Sequence, residues 1–164
     1  MKIVIDTNCL VVCLPVTSPY YYLWKAFRDM RITVCYTTDI INEYSEILPR
    51  FYHQQFVSDV INELLLSPNV IKANNYYRWN LISSDLDDNK FVDCALNAGA
   101  DYIITNDKHF NVLKSLDFPP IKVIDIEAFK LILTIKDALR LLWFLSSPLP
   151  TPEGEFFTNK QINE

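Results

Sequence analysis

The chain has 164 residues, of which half are hydrophobic and 13% are aromatic, so it can bury the core of one domain without disulfide bonds. Its two glycines exclude a glycine-rich phosphate loop, because neither GxGxxG nor GxxxxGK can be written with them. The formal net charge of −5 argues against a globally basic nucleic-acid binder, while a local basic rim or an acidic site that binds cations stays open.

The first half of the chain alternates between strand and helix patterns. Its opening run, KIVID, is apolar and β-branched, which is typical of a strand that is buried on both faces. Apolar residues then recur at helical spacing in three segments, the second of which can be capped by Thr38 or Asp39. The predicted order is strand 2–6, helix 19–30, strand 32–37, helix 40–52, helix 54–66 and strand 69–73.

The second half continues the alternation after a polar, irregular segment. Asp87 or Asp88 can cap a helix that runs to Ala98, and Gly99 can end this helix in the left-handed conformation. The predicted elements that follow are strand 102–105, a short helix 108–115, strand 121–125 and a helix within 126–145. This alternation predicts an α/β domain with a mostly parallel sheet.

The C-terminal part differs in character from the rest. We assign residues 1–133 to the α/β domain and residues 134–164 to a C-terminal helix followed by a flexible tail with three prolines. The segment LRLLWFL (139–145) is apolar on too many sides for a lone surface helix, so we expect it to pack on its own domain or on a partner.

The cysteines and the N-terminal residues indicate in which cellular compartment the protein works. All four cysteines lie in apolar stretches without a CxxC pair, so we expect them to be reduced and buried, as in a cytosolic protein. Asp6 and Asn8 interrupt the apolar N-terminus, unlike the core of a signal peptide. No uncharged run approaches the roughly 20 residues of a membrane span. We therefore expect a cytoplasmic protein that does not enter the membrane.

Five acidic residues fall at related positions in the predicted elements. Asp6 ends the first strand, Asp107 follows the fourth strand, and Glu43 lies early in the helix after the second strand. Asp88 lies at a helix start, and Asp93 lies further into the same helix. In a parallel sheet the carboxyl ends of the strands and the following helix N-termini share one edge, so these acids are candidates for one cleft. There they would repel one another unless helix N-termini or a hard cation such as Mg²⁺ offset the charge.

Each of these acids also has an ordinary structural explanation. Asp6 can begin an Asx turn, Glu43 can be a solvated helix residue, and Asp88 and Asp107 can be helix caps. Asp93 lies five positions after Asp88, so the two do not share a helix face by spacing, and Asp93 can simply be exposed. The combination of the five is more informative than any one of them.

Four segments together resemble the PIN domain. They are IVIDTNCLV (3–11), IINEYSEIL (40–48), DLDDNKFVDCALNAGADYIITND (85–107) and PIKVIDIEAF (120–129). The chain is most similar to the bacterial branch of this family that supplies the toxin components of toxin–antitoxin pairs, and the resemblance covers about residues 1–133. It implies a three-layer α/β/α sandwich and a ribonuclease that hydrolyses RNA phosphodiester bonds with Mg²⁺, or with Mn²⁺ as a substitute.

The resemblance also implies roles for individual residues. By position, the catalytic acids are Asp6, Glu43, Asp88 and Asp107, all of them metal ligands, with Asp93 as an additional ligand. The supporting residues are Asn8 and Thr105. Independently of the resemblance, Lys90 and Lys108 flank the acids in the sequence, so they could contact RNA phosphates or be ordinary solvated lysines. We expect Asp6 and Asp107 to bind the first metal directly, with Glu43 completing the shell. The implied partners are an RNA substrate, a small antitoxin protein and, because 139–145 needs burial, a second copy of the chain.

Other interpretations stay open. A PIN-like module could bind RNA or a protein without cleaving anything. A haloacid-dehalogenase-like phosphatase also places acids at strand ends, but it needs an aspartate two positions after the first, where this chain has Asn8. A receiver domain is a weaker rival. His109 could touch a phosphate or be a partly exposed helix residue, and the tyrosines at 20–22 could stack unpaired bases or join the core.

Overall fold

The computed structural model of the chain describes residues 1–74 and 77–146. Two compact units make up the chain, Met1–Ile132 and Leu133–Glu164. The expected flexible tail falls on residues 147–164, which lie outside the described residues. The division of roles between residues 1–133 and 134–164 stays a prediction.

The first unit is built around a parallel five-stranded sheet. Its strands are β1 (Lys2–Ile5), β2 (Thr33–Tyr36), β3 (Val70–Lys72), β4 (Tyr102–Ile104) and β5 (Val123–Ile124). They lie in the order β3-β2-β1-β4-β5, and each pair of neighbours is parallel. The central strand β1 therefore pairs with β2 on one side and β4 on the other, and its side chains from Ile3 to Ile5 are fully buried. The predicted α/β class with a mostly parallel sheet is confirmed.

Helices connect the strands. They are α1 (Thr7–Cys13), α2 (Tyr21–Arg28), α3 (Thr38–Ile47), α4 (Gln54–Leu66), α5 (Asn89–Ala98) and α6 (Ile126–Ser146), with 3₁₀ segments at Leu48–Arg50 and Lys108–Ser115. Within residues 1–74 and 77–146, none of the helices combines the length and apolar character that crossing a membrane requires. Gly99 ends α5 at φ 60° and ψ 48°, the left-handed conformation that was predicted for it.

The sequence pattern missed one helix and misplaced two boundaries. α1 follows β1 directly and buries Cys9, Leu10 and Cys13, but its seven residues are too short to display a helical period. The expected cap of α3 at Thr38 or Asp39 is wrong, because the Thr37 hydroxyl accepts the hydrogen bond from the Ile40 N–H. α3 also ends at Ile47 rather than near residue 52, and a 3₁₀ turn that contains a proline follows it.

The structure agrees with the expected burial of the cysteines but does not show burial of residues 139–145 among the described residues. All four cysteines are free and buried, as predicted from their apolar surroundings. The apolar side chains of 139–145, in contrast, are largely exposed in the part of the chain that the structure describes, and Trp143 is 70% exposed.

Candidate active site

Three polar residues connect the carboxyl ends of the neighbouring strands β1 and β4. Asp6 follows β1, and its N–H donates to the Ile104 carbonyl at 2.9 Å, which fixes the two strand ends side by side. The Thr105 hydroxyl donates to Asp6 Oδ2 at 2.8 Å and accepts the Asp107 N–H at 2.9 Å. One hydroxyl group therefore sets the positions of both aspartates, and the buried Asp6 carboxylate sits at the centre of this edge.

Glu43 reaches the same edge from the second turn of α3. The Thr7 hydroxyl at the start of α1 donates to Glu43 Oε1 at 2.5 Å. The second oxygen, Oε2, is buried and makes no hydrogen bond with the described residues. It instead lies 2.5 Å from the Lys90 ammonium, which also lies 2.6 Å from Asp87 Oδ2. Because only 14% of the Lys90 side chain is exposed, this lysine is a partly buried counter-ion of Glu43.

Asp88 and Asp107 converge on a histidine that the sequence pattern did not assign to the site. His109 Nδ1 lies 3.3 Å from Asp88 Oδ2 and 3.5 Å from Asp107 Oδ1, and the His109 N–H donates to Asp107 Oδ1 at 2.8 Å. One ligand atom from each of Asp85, Asp88 and His109 lies within 4.8 Å of the others, a spacing that one cation could bridge. A histidine two residues after the last acid was the signal in the sequence that could have suggested this contact.

The carboxylates influence one another across the site. Burial raises the pKa of Asp6 to about 6; the hydrogen bond from Thr105 opposes this rise, and the negative charges of Asp88 and Glu43 add to it. Burial also raises the pKa of Asp88 to about 6, with Asp85 and Asp107 adding to the rise and His109 opposing it. Acids that are far apart in sequence therefore share one electrostatic environment.

This environment fits a hard divalent cation. The donor set consists mainly of carboxylate oxygens, which Mg²⁺ and Mn²⁺ prefer. Burial is the main cause of the raised pKa values of two of the acids, and nearby like charges add to the rise; a bound cation would offset that repulsion. Glu43 Oε2 is paired with the Lys90 ammonium at 2.5 Å, so a cation at this oxygen would have to compete with Lys90.

Asp93 has different surroundings. Its buried side chain accepts a hydrogen bond from the Trp79 N–H at 2.9 Å, and no contact given by the described residues joins it to Asp6, Asp88 or Asp107. Burial raises its pKa, while the Trp79 hydrogen bond and the charge of Arg78 oppose the rise. Asp93 lines a cleft of about 520 Å³ together with Asn42, Glu43, Arg78, Asn80 and Lys90. Glu43 is therefore the acid that the strand edge and this cleft share.

The other predicted site residues lie at the margin. The backbone of Asn8 opposes the rise in the pKa of Asp6, while the Asn8 side chain is exposed. Lys108 is exposed on the 3₁₀ segment, between Asp107 and His109. Lys90 is engaged with Glu43 and Asp87, so an RNA contact by Lys90 would require it to leave one of these ion pairs.

Comparison with known protein families gives a match, and the matched residues include four of the five strands. Residues 2–109 match the family model described as PIN domain. No curated protein matches the chain significantly.

Three solved structures are similar to the chain to different degrees. The structure of VapBC2 from Rickettsia felis, bound to a DNA fragment from their promoter, is similar with a TM-score of 0.54 and 14% identity, over 76% of this chain and 98% of that one. FitAB bound to an IR36 DNA fragment has a TM-score of 0.48 and 12% identity, over 76% and 94%. The PIN domain of T. brucei RRP44 has a TM-score of 0.49 and 12% identity, over 89% and 88%. The first likeness shows a shared fold.

Proposed function

We propose that this chain, which belongs to the PIN domain family over residues 2–109, is a metal-dependent endoribonuclease. Proteins of this family are generally nucleases, so the reaction class is hydrolysis of a phosphodiester bond. The observation that carries the proposal is the convergence of carboxylates at one edge of the sheet: the Thr105 hydroxyl contacts both Asp6 and Asp107, and His109 Nδ1 lies within 3.5 Å of both Asp88 and Asp107. Such a concentration of carboxylates is costly without a cation, and it suits a site that binds one.

We assign each residue a task in this proposed mechanism. Asp6 and Asp107 would hold the first Mg²⁺ or Mn²⁺, and Glu43 would complete its shell. Asp88 and Asp93 would bind through water or hold a second ion. A bound divalent cation supplies Lewis-acid polarisation of the phosphate and makes water a better nucleophile. Thr105 keeps the first two carboxylates in register through its two hydrogen bonds.

His109 and Asp85 extend this donor set. An imidazole nitrogen beside carboxylates suits Mn²⁺ better than Mg²⁺, because nitrogen ligands favour transition metals. We propose that His109 tunes the metal preference of the site, since one of its ring nitrogens lies within 4.8 Å of carboxylate oxygens of both Asp85 and Asp88.

The proposal extends to partners and location. The resemblance to toxin components supports a small antitoxin protein as a partner and the cytoplasm as the site of action. VapBC2, whose fold this chain shares, was captured on a DNA fragment from their promoter. The exposed apolar side chains of 139–145 support a homodimer through residues 134–164, which light scattering of the wild type and of a Leu142→Ser, Phe144→Ser variant would test.

The test of the activity is cleavage of a mixed RNA pool by the purified chain. Cleavage should occur with Mg²⁺ or Mn²⁺, should stop in excess EDTA and should leave duplex DNA largely intact. Asp6→Asn should abolish it, because this change removes a direct metal ligand while preserving shape. Asp117→Asn is the matched control, since Asp117 is exposed and lies outside the acidic edge. Cleavage that persists in EDTA would contradict the metal-dependent mechanism.

A further inference from the structure

An irregular segment beside the acidic cleft presents alternate residues to two different places. Arg78 and Asn80 line the cleft that contains Glu43. Tyr77 and Trp79 instead pack against each other, with ring centroids 5.1 Å apart at 76°. The Trp79 ring also packs on Phe118, with centroids 6.1 Å apart at 68°. The segment therefore turns its polar side chains into the cleft and contributes its two rings to an aromatic cluster of three.

The cluster of Tyr77, Trp79 and Phe118 lies at the surface. Tyr77 is 63% exposed and Phe118 is 74% exposed, while Trp79 lies between them and is partly covered. Single exposed aromatic residues are common on proteins, but contiguous apolar patches usually bind something. Edge-to-face packing holds the three rings together, which leaves ring surface free to receive a flat ligand.

The main chain ties this cluster to the wall of the cleft. The Trp79 N–H donates to Asp93 Oδ1 at 2.9 Å, and Asp93 lies on α5, the helix that also carries Lys90. Because Asp93 is buried, this hydrogen bond fixes the backbone of Trp79. A strand lying in the cleft would meet the aromatic cluster at this rim.

The mostly negative charge of the cleft indicates that a nucleic acid would be bound here through its bases rather than through its phosphates. Carboxylates line the cleft at Asp39, Glu43, Glu46, Asp87 and Asp93, whereas its cations are Arg78 and Lys90. Lys90 is already engaged by two of these acids. The cleft therefore offers little attraction for a phosphate backbone, while aromatic side chains bind bases through stacking that does not depend on charge.

We propose that Tyr77, Trp79 and Phe118 form a stacking platform for the unpaired bases of single-stranded RNA beside the cleft. The inference rests on the proposed ribonuclease function for the choice of nucleic acid, and it names unpaired RNA as the substrate class. The tyrosines at 20–22 are not part of this surface; they are partly buried, and the Tyr22 hydroxyl donates to the Ile126 carbonyl.

The test compares two strands of equal length, a fluorescently labelled oligouridine and an abasic ribose-phosphate strand. Anisotropy is measured in EDTA, so that binding is separated from cleavage. The wild type should bind the oligouridine at least fivefold more tightly than the abasic strand. The affinity should fall only weakly with added salt, because few phosphate contacts are made.

Variants locate the binding surface. Tyr77→Ser and Phe118→Ser should each weaken oligouridine binding roughly fivefold or more, since each removes one stacking ring. Tyr77→Phe should bind like the wild type because it keeps the ring. Phe51→Ser is the matched control, because Phe51 is 62% exposed and is not in the cluster, and it should leave binding unchanged. Thermal unfolding of each variant verifies that it is folded.

Three results would overturn the platform: equal binding of the base-containing and abasic strands, no binding of either strand by the wild type, or wild-type affinity in both serine variants. In the last case the aromatic surface would serve another ligand, such as a protein. Failure of the ribonuclease proposal looks different. It would appear as intact, base-dependent binding in EDTA together with no cleavage when Mg²⁺ or Mn²⁺ is added.

Discussion

Asp6 and Asp93 are two buried aspartates whose surroundings have opposite electrostatic character. Burial raises the pKa of both. Each aspartate accepts a hydrogen bond that opposes the rise, from Thr105 at Asp6 and from the Trp79 N–H at Asp93. The charges differ, because the carboxylates Asp88 and Glu43 raise the pKa of Asp6 further, whereas the positive charge of Arg78 lowers that of Asp93. Burial by itself does not distinguish a ligand from a structural residue; the sign of the neighbouring charges does. We therefore expect Asp6 to be energetically unfavourable without a cation and Asp93 to be satisfied without one.

Cleavage activity should separate the two aspartates most strongly. Asp6→Asn should reduce metal-dependent RNA cleavage by about 100-fold or more, because it removes a direct ligand. Asp93→Asn should reduce cleavage by about 10-fold or less, since its amide oxygen can still accept the Trp79 N–H and its role in metal binding is indirect. Initial rates at saturating Mn²⁺ measure both. A larger loss in Asp93→Asn than in Asp6→Asn would reverse the assignment.

The stability of the metal-free protein should change in opposite directions. Asp93→Ala leaves the Trp79 N–H without its acceptor, and we expect a loss of about 1–3 kcal/mol in the free energy of unfolding. Asp6→Asn relieves like-charge repulsion, and we expect a gain on the order of 1 kcal/mol. Urea unfolding in EDTA measures both changes.

Added Mn²⁺ should make the wild type more stable than Asp6→Asn, the reverse of the order expected without metal. The wild type should be stabilised by mass action and Asp6→Asn much less, because the variant has lost a ligand. Asp117→Asn should behave like the wild type in both conditions. If Asp6→Asn destabilises the metal-free protein and keeps a full Mn²⁺ shift, Asp6 is a structural turn residue.

The pH dependence of stability should follow from the raised pKa values. In the folded, metal-free protein the pKa of Asp6 and that of Asp88 are about 6, against 3.8 for an ordinary aspartate. The folded state therefore binds protons more readily, and its stability should increase as pH falls from 7 to about 4, by about 2–3 kcal/mol for Asp6. The contribution of Asp88 should be smaller, because solvent screens this partly exposed group. Both contributions are lost as pH rises through 6. Thermal unfolding in EDTA across this pH range should show that stability changes less steeply with pH in Asp6→Asn than in the wild type. If both proteins show the same dependence, Asp6 is not the source of the pH dependence.

The smallest effect concerns Lys90. Lys90→Met removes the counter-ion of Glu43, so the metal-free protein should be destabilised while the affinity for Mn²⁺ rises a few-fold, because a competing positive charge is gone. Calorimetric titration with Mn²⁺ measures the affinity. A variant that binds Mn²⁺ more weakly would show that Lys90 is required to position Glu43 rather than to compete with the cation. Lys122→Met is a suitable control, since the Lys122 ammonium lies over the Tyr102 ring at 6.0 Å and not in the cleft.

The order of the strands, most of the helices and the placement of the acids could be predicted from the sequence. The run KIVID indicates a buried strand because β-branched residues suit it, and Gly99 indicates a helix end because only glycine adopts φ 60° without strain. Placing Asp6 and Asp107 after parallel strands already predicts a shared edge. These are local properties, since they depend on residue types within a few positions of one another.

The partners of the acids were decided only by the tertiary structure. Glu43 forms an ion pair with Lys90, which lies 47 positions later in the sequence. Asp93 accepts a hydrogen bond from Trp79, which lies in a segment without any periodicity. The contact between Trp79 and Phe118 joins positions that no sequence pattern relates. Whether a buried carboxylate is repelled or satisfied depends on distances of a few ångströms between atoms that folding brings together. The positions of the acids after strands therefore predicted the shared edge, whereas packing determined which of these acids lie among like charges and which are paired.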